Sequence, residues 1–156
     1  MKNCINLTTS ALVVLLLSLT SSDLLAEDMN ESERCMELVL YWEAKTEGAE
    51  GMQAVGHVVL NRVKHDEFPS TICEVMQHGG ETPPCQFSFW CDGKSDRPDQ
   101  QSETWQLSQS VSRQLISNPS GDPTSGALFF HIRDIEIPWS IERERTAAIG
   151  EHIFYR

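Results

Sequence analysis

The chain has 156 residues, with 12 Lys and Arg against 23 Asp and Glu and a formal net charge of −11. So acidic a surface argues against a nucleic-acid reader, whose phosphate partners require a basic face, and equally against adsorption to anionic lipid. Once an export segment is set aside, about 130 residues remain, which suits one domain around one core.

Residues 1–26 read as that segment. Lys2 supplies a positive end, Ala11 to Leu19 form an apolar run well short of the roughly 20 residues a membrane helix needs, and Leu24-Leu25-Ala26 closes on a small residue suited to cleavage. Residues 27–156 are expected as the working domain, with no membrane insertion after cleavage. Removing Lys2 and Asp23 leaves 11 basic and 22 acidic side chains, so the net charge stays at −11.

The spacing predicts a helix over 33–46. Met36, Val39 and Leu40 precede Glu43 by seven, four and three positions, so a carboxylate extends an apolar stripe. A second helix is predicted over 49–65, where Met52, Val55, Val59 and Val63 line one face. In "FPSTICEVMQ", Ser70 is the expected N-cap of a short helix carrying Ile72, Val75 and Met76. Residues 78–101 are rich in Gly, Pro, Asp and Lys and contain "CQFSFWC", predicted as a short strand or hairpin. A helix over 102–117 follows, with Leu107, Val111 and Leu115 on one face and Asn118-Pro119 at its end. Beyond the turn cluster "SNPSGDPTSG" lie "ALFFHI", a break at Pro138-Trp139, and a closing hairpin turned by Gly150-Glu151. The fold class is α+β: one helix-dominated domain with a small β-hairpin element.

Cys4 leaves with the export segment, and Cys35, Cys73, Cys85 and Cys91 remain. Four cysteines permit three pairings, and an even count in an exported chain reads as two disulfides. Cys85 and Cys91 are near enough to close a small loop, which leaves Cys35 to Cys73. The loop-entropy relation assigns the short bridge about 2 kcal/mol and the long one about 4 kcal/mol. No CxxC or HExxH spacing occurs among the cysteines and five histidines, so neither a metal nor another cofactor is expected.

Glu43 has two readings. It pairs with a buried cation such as Arg62 or reaches water at a frayed helix end, or it is desolvated, keeps a proton near neutral pH and acts as a general acid. Glu47 lies one turn further along the predicted helix, either as a second carboxylate on that face or as a surface charge. Phe87, Phe89 and Trp90 read as core or as a platform for sugar rings, with Gln86 and Ser88 as hydrogen-bonding neighbours. His131 reads as a strand-end residue near a cleft or as a satisfied core histidine. No G-x-S-x-G supports a serine nucleophile.

"LYWEAKTEGAEGMQAVGHVVLNRV", "FPSTICEVM", "QFSFW", "DPTSGALFFH" and "AAIGEHIFYR" together resemble the SleB/CwlJ family of cell-wall hydrolases, whose founding members are spore-cortex-lytic enzymes. The likeness runs from about Cys35 to Arg156. Its hallmark "EARGE" stands here as "EAKTE", with Glu43 and Glu47 kept and Lys45 and Thr46 in place of the usual arginine and glycine. The resemblance implies a lysozyme-like (transglycosylase-like) domain that cuts peptidoglycan glycan strands between N-acetylmuramic acid and N-acetylglucosamine. It implies Glu43 as catalytic acid, with Glu47, Gln86, Phe87 and Ser88 lining or supporting the cleft; Phe130 and His131 are expected beside them as substrate-binding residues. Two disulfides suit a Gram-negative periplasm better than a spore.

Glu43 and Glu47 on one helix face are poorly placed to straddle a sugar ring, which favours lytic transglycosylation with a 1,6-anhydromuramic acid product over a two-carboxylate hydrolysis. For a muramidase-type hydrolase the next candidate is an Asp or Glu of the 92–103 loop. A non-catalytic periplasmic peptidoglycan-binding protein and a disulfide-stapled interaction protein are the readings from other classes.

Overall fold

The computed structural model describes residues 21–156 apart from positions 83 and 136, with side chains from Met29 onward; the first 20 residues of the expected export segment lie outside the described residues. Helix α1 spans Ser21–Glu43, beginning earlier than its apolar stripe and ending three residues before the predicted stop. Gly48, at φ +65°, takes a conformation costly to other residues, and Glu47 becomes the N-cap residue of helix α2 (Gly48–Val63). Glu47 therefore does not continue the face of Glu43, as the predicted helix over 33–46 had it.

Met36, Val39 and Leu40 of α1 and Met52, Val55 and Val59 of α2 are fully buried against each other and against helix α5 (Glu103–Ser117), which contributes Val111 and Leu115. Gly56 sits where the three helices meet, and a Cβ there would collide with Leu115. Ser112 lies in the α1–α5 contact and donates its hydroxyl to the Glu33 carbonyl (3.0 Å). Ser102 caps α5, accepting from the Trp105 N–H (3.1 Å). Helix α3 (Ile72–Met76) is capped by Thr71 rather than Ser70: the Thr71 hydroxyl accepts from the Glu74 N–H at 3.2 Å.

The "CQFSFWC" segment is not a strand. It forms a helical turn, α4 (Ser88–Cys91), because no neighbouring strand pairs with it and the Cys85–Cys91 bridge closes the chain on itself. Phe87 and Phe89 still both point inward. The second bridge, Cys35–Cys73, ties α1 to α3.

The sheet is antiparallel in the order β1-β3-β2, with β1 at Phe129–Ile132, β2 at Arg145–Ile149 and β3 at His152–Tyr155. Gly150-Glu151 turns the β2–β3 hairpin as the sequence predicts. Phe130 pairs with Phe154, and Phe154 packs with Ala54 and Val58 on the side of α2 turned away from the helical core. The C-terminal end of α2 fixes the start of β1. Asn61 donates to the Asp122 carboxylate (2.9 Å) and the Ala127 carbonyl (3.1 Å), and Arg62 Nε donates to the Leu128 carbonyl (2.8 Å). These bonds hold the start of β1 against the end of α2, and a cleft lined by both strand β1 and the end of α1 opens beside them. Among the described residues no helix is long and apolar enough to cross a membrane.

Candidate active site

Glu43 is the last residue of α1 and lines two cavities. The first, about 410 Å³, is walled by Arg62 from α2, Gln86 from the loop before α4, Phe129 and Phe130 from β1, and Trp139 and Arg143 from the 3-10 turn Pro138–Glu142 and its exit. The second, about 310 Å³, is walled by Trp42, Lys45, Thr46, Glu47, Ile132, Glu151 and His152. Trp42 is fixed by stacking on Phe89 (6.3 Å between ring centroids) and presents an aromatic face beside Glu43. Each cavity thus combines aromatic surface with a few polar groups, a lining suited to sugar rings.

Burial pushes the Glu43 carboxyl from 4.5 up to about 7, with the Arg62 charge pulling the other way. Arg62 is itself buried, and burial lowers it from its ordinary value to about 10 while Glu43 raises it. Of the two readings of Glu43, the structure therefore shows desolvation dominating over pairing. The two groups feel each other, yet no ion pair joins them among the described residues, and Glu43 keeps a proton into the neutral range.

Glu47 stands in the opposite circumstance. Its carboxylate accepts from the Glu151 N–H (2.8 Å) and the Thr46 hydroxyl (3.3 Å), and lies 4.0 Å from His152 Nδ1. A Cβ at Gly150 or Gly51 would collide with it, so two glycines leave room for this one side chain. Burial lowers the His152 imidazole below its usual value, with the Glu47 charge opposing. Glu47 thereby staples the β2–β3 turn to the start of α2.

The remaining sequence candidates divide. Gln86 and Phe130 line the first cavity beside Glu43. Phe87 is 1% exposed and lies in the core beneath Arg62, whose guanidinium is 5.4 Å from its ring. Ser88 is exposed at the first position of α4 and is not part of the cavity wall. His131 is one layer behind the wall, bonded to the Tyr155 hydroxyl (2.9 Å), stacked on that ring and edge-on to Trp139 (5.6 Å). Structure adds Trp42, Phe129, Trp139 and Arg143 to the site. The break at Pro138-Trp139 marks a turn but not its direction, and Arg143 stands in "ERER", which reads as a solvated charge run. Of the 92–103 loop acids, Asp92 and Asp96 line a separate recess on the far side of Trp42, away from Glu43. Among the described residues, the acid that does share a cavity with Glu43, besides the bonded Glu47, is Glu151. Among the described residues no cluster of His, Cys, Asp and Glu has the arrangement of a metal site.

Comparison with known proteins places this arrangement. The family model described as Cell Wall Hydrolase matches residues 46–155. The spore cortex-lytic enzyme of Bacillus subtilis (strain 168) is 28% identical over 127 residues, covering 80% of this chain and 37% of its own length. That of Oceanobacillus iheyensis is 29% identical over 118 residues, covering 74% and 38%. The chain thus spans well under half the length of these relatives. The crystal structure of the catalytic domain of the Bacillus cereus SleB protein superposes with a TM-score of 0.65 at 28% identity, covering 81% of this chain and 91% of that one. The catalytic domain of the germination-specific lytic transglycosylase SleB from Bacillus anthracis gives 0.64 at 28%, covering 80% and 93%. The chain belongs to the Cell Wall Hydrolase family and has the helix-dominated, lysozyme-like α+β fold of the SleB catalytic domains.

Proposed function

We propose that this member of the Cell Wall Hydrolase family cleaves peptidoglycan glycan strands between N-acetylmuramic acid and N-acetylglucosamine by lytic transglycosylation, with Glu43 as the one catalytic acid and base. The observation that carries the reading is the position of Glu43: a desolvated carboxyl with a pKa of about 7, set between two aromatic-walled cavities that offer room for sugars on either side. Supporting it is the description of the Bacillus anthracis relative as a lytic transglycosylase.

The protonated Glu43 donates to the glycosidic oxygen as the bond from that oxygen to the muramic acid C1 breaks, and N-acetylglucosamine leaves with a free hydroxyl. The oxocarbenium-like C1 is then attacked by the 6-hydroxyl of the same ring. Its proton passes to the Glu43 carboxylate, which restores the acid and closes a 1,6-anhydro ring without consuming water. Positioned proton transfer of this kind supplies about two to four powers of ten in rate. Glu47, held by the hairpin turn, shapes the second cavity. Gln86, Phe129, Phe130 and Trp139 supply hydrogen bonds and apolar faces on the other side.

Export of a domain covering 27–156 into a periplasm belongs to the same proposal, supported by the two disulfides, which persist in oxidising compartments. Mass spectrometry of the muropeptides from digested sacculi tests the chemistry. Chain ends lighter by one water than reducible ends are expected. Products that are all reducible would contradict the mechanism and point to a hydrolase in which Glu151 supplies the second carboxylate.

A further inference from the structure

The first cavity holds more positive charge than the proton transfer to the glycosidic oxygen calls for. Arg62 is 4% exposed and spends its Nε on the Leu128 carbonyl, while its buried Nη1 has no hydrogen-bond partner among the described residues. A buried guanidinium N–H left unbonded costs free energy, so such a group normally marks a missing acceptor. Arg143 reaches the same cavity from the exit of the 3-10 turn. Its guanidinium lies 3.5 Å over the Phe129 ring and 5.8 Å from Trp139, and its buried Nε is likewise without a partner. Two guanidiniums therefore face a cavity in which Glu43 is the sole carboxyl among the described residues, on a chain whose net charge is −11. A neutral sugar has no use for that pair, whereas a carboxylate matches the planar fork of either arginine.

We infer that Arg62 and Arg143 form an anion seat beside Glu43 that takes a carboxylate from the lactyl arm of the muramic acid being cut. The inference rests on the glycan-cleavage reading. The seat places the muramic acid in the first cavity: with its C1 at Glu43, the lactyl arm on C3 of that same ring brings its carboxylate within a cavity of about 410 Å³ that both arginines line. In a strand that carries peptides this carboxyl is an amide, and the nearest free carboxylates lie further out along the peptide. The enzyme's preferred substrate is accordingly a strand from which the peptide has been removed, and the class of reaction that supplies it is an amide hydrolysis between the lactyl group and the peptide.

The test compares kcat/KM on three glycans: strands stripped of peptide by an amidase, the same strands with their lactyl carboxylates converted to neutral methylamides, and intact peptide-bearing strands. Wild-type protein is expected to prefer the stripped strands over the methylamides by about tenfold or more. Arg143→Gln is expected to lose that preference to within about twofold, and Arg143→Lys to keep part of it. Arg143 is chosen because Arg62 also holds the start of β1. Equal rates on stripped and methylamidated strands, or a preference that survives Arg143→Gln, overturn the anion seat. Faster cutting of intact strands than of both others overturns the lactyl assignment in favour of a peptide carboxylate. Failure to cut any of the three sinks the glycan-cleavage reading instead. Calorimetry with stripped and methylamidated oligosaccharides then decides the seat separately, selective binding upholding it and equal or absent binding overturning it.

Discussion

Glu43 and Glu47 are four residues apart and both carry side chains withdrawn from solvent, yet their surroundings are opposite. Glu47 is met by a backbone N–H and a hydroxyl and is enclosed by two glycines; burial with partners makes it a structural clamp. Burial of Glu43 comes with no such donors among the described residues, and what opposes it there is the Coulomb field of Arg62. The difference teaches that withdrawal from water sets a proton's fate through its compensation: with partners a carboxylate is satisfied, and without them the cost falls on the ionised form and is relieved by keeping the proton.

The largest expected effect separates the two at the level of chemistry. Glu43→Gln should lower sacculus lysis by at least about a thousandfold, since an amide of the same shape has no proton of the required acidity. Glu47→Gln should lower it about tenfold or less, because the amide oxygen still accepts from the Glu151 N–H. Turbidity loss of purified sacculi measures both, and comparable losses in the two variants would erase the distinction.

Stability should invert the order. In the unfolded chain Glu43 returns to 4.5, so the folded state binds its proton more tightly; that contribution is complete below pH 4.5 and is lost as the pH rises through about 7. Glutamine has no such loss. The Glu43→Gln protein should therefore unfold like wild type at pH 4 and be more stable at pH 8 by on the order of 3 kcal/mol, as urea titrations would show. Wild-type activity should fall over the same range, declining as the pH passes about 7 and the acid loses its proton. Activity that rises through pH 7 would assign Glu43 the role of an ionised base.

At Glu47 the sign is the ordinary one. Gly150→Ala places a Cβ against the carboxylate at a residue with φ +55° and should destabilise by about 1–3 kcal/mol. Thermal unfolding at pH 7 reads this. The same change at Gly121, also at positive φ but with open space around it, should cost less, about 1 kcal/mol, because only the backbone penalty applies.

How far the sequence disclosed this contrast depends on whether the cause was local. The stripes of α2 and α5, the hairpin turn at Gly150-Glu151 and the Cys85–Cys91 bridge follow from short-range pattern, Cys35–Cys73 follows as the remaining pair, and the structure matches them. Glu43 was visible because it interrupts an apolar stripe. The end of α1 was misplaced because the left-handed Gly48 and the capping position of Glu47 override a helical pattern that continues through Lys45. The alternation in "QFSFW" suggests a strand, but a strand requires a partner that only the tertiary fold can supply or withhold. Trp139 and Arg143 were invisible as site residues because 96 and 100 positions separate them from Glu43, and only the sheet docking on α2 brings them to it.

The central claim, that Glu43 is an acid kept protonated by its surroundings, is tested most directly by following its side-chain carboxyl carbon by NMR as the pH is raised, assigned by loss of the signal in Glu43→Gln. A titration midpoint near 7 is the result expected from the buried, unbonded carboxyl. A midpoint near the ordinary value of 4.5 would show that Glu43 is ionised and solvated at neutral pH, and would remove the proton donor on which the account depends.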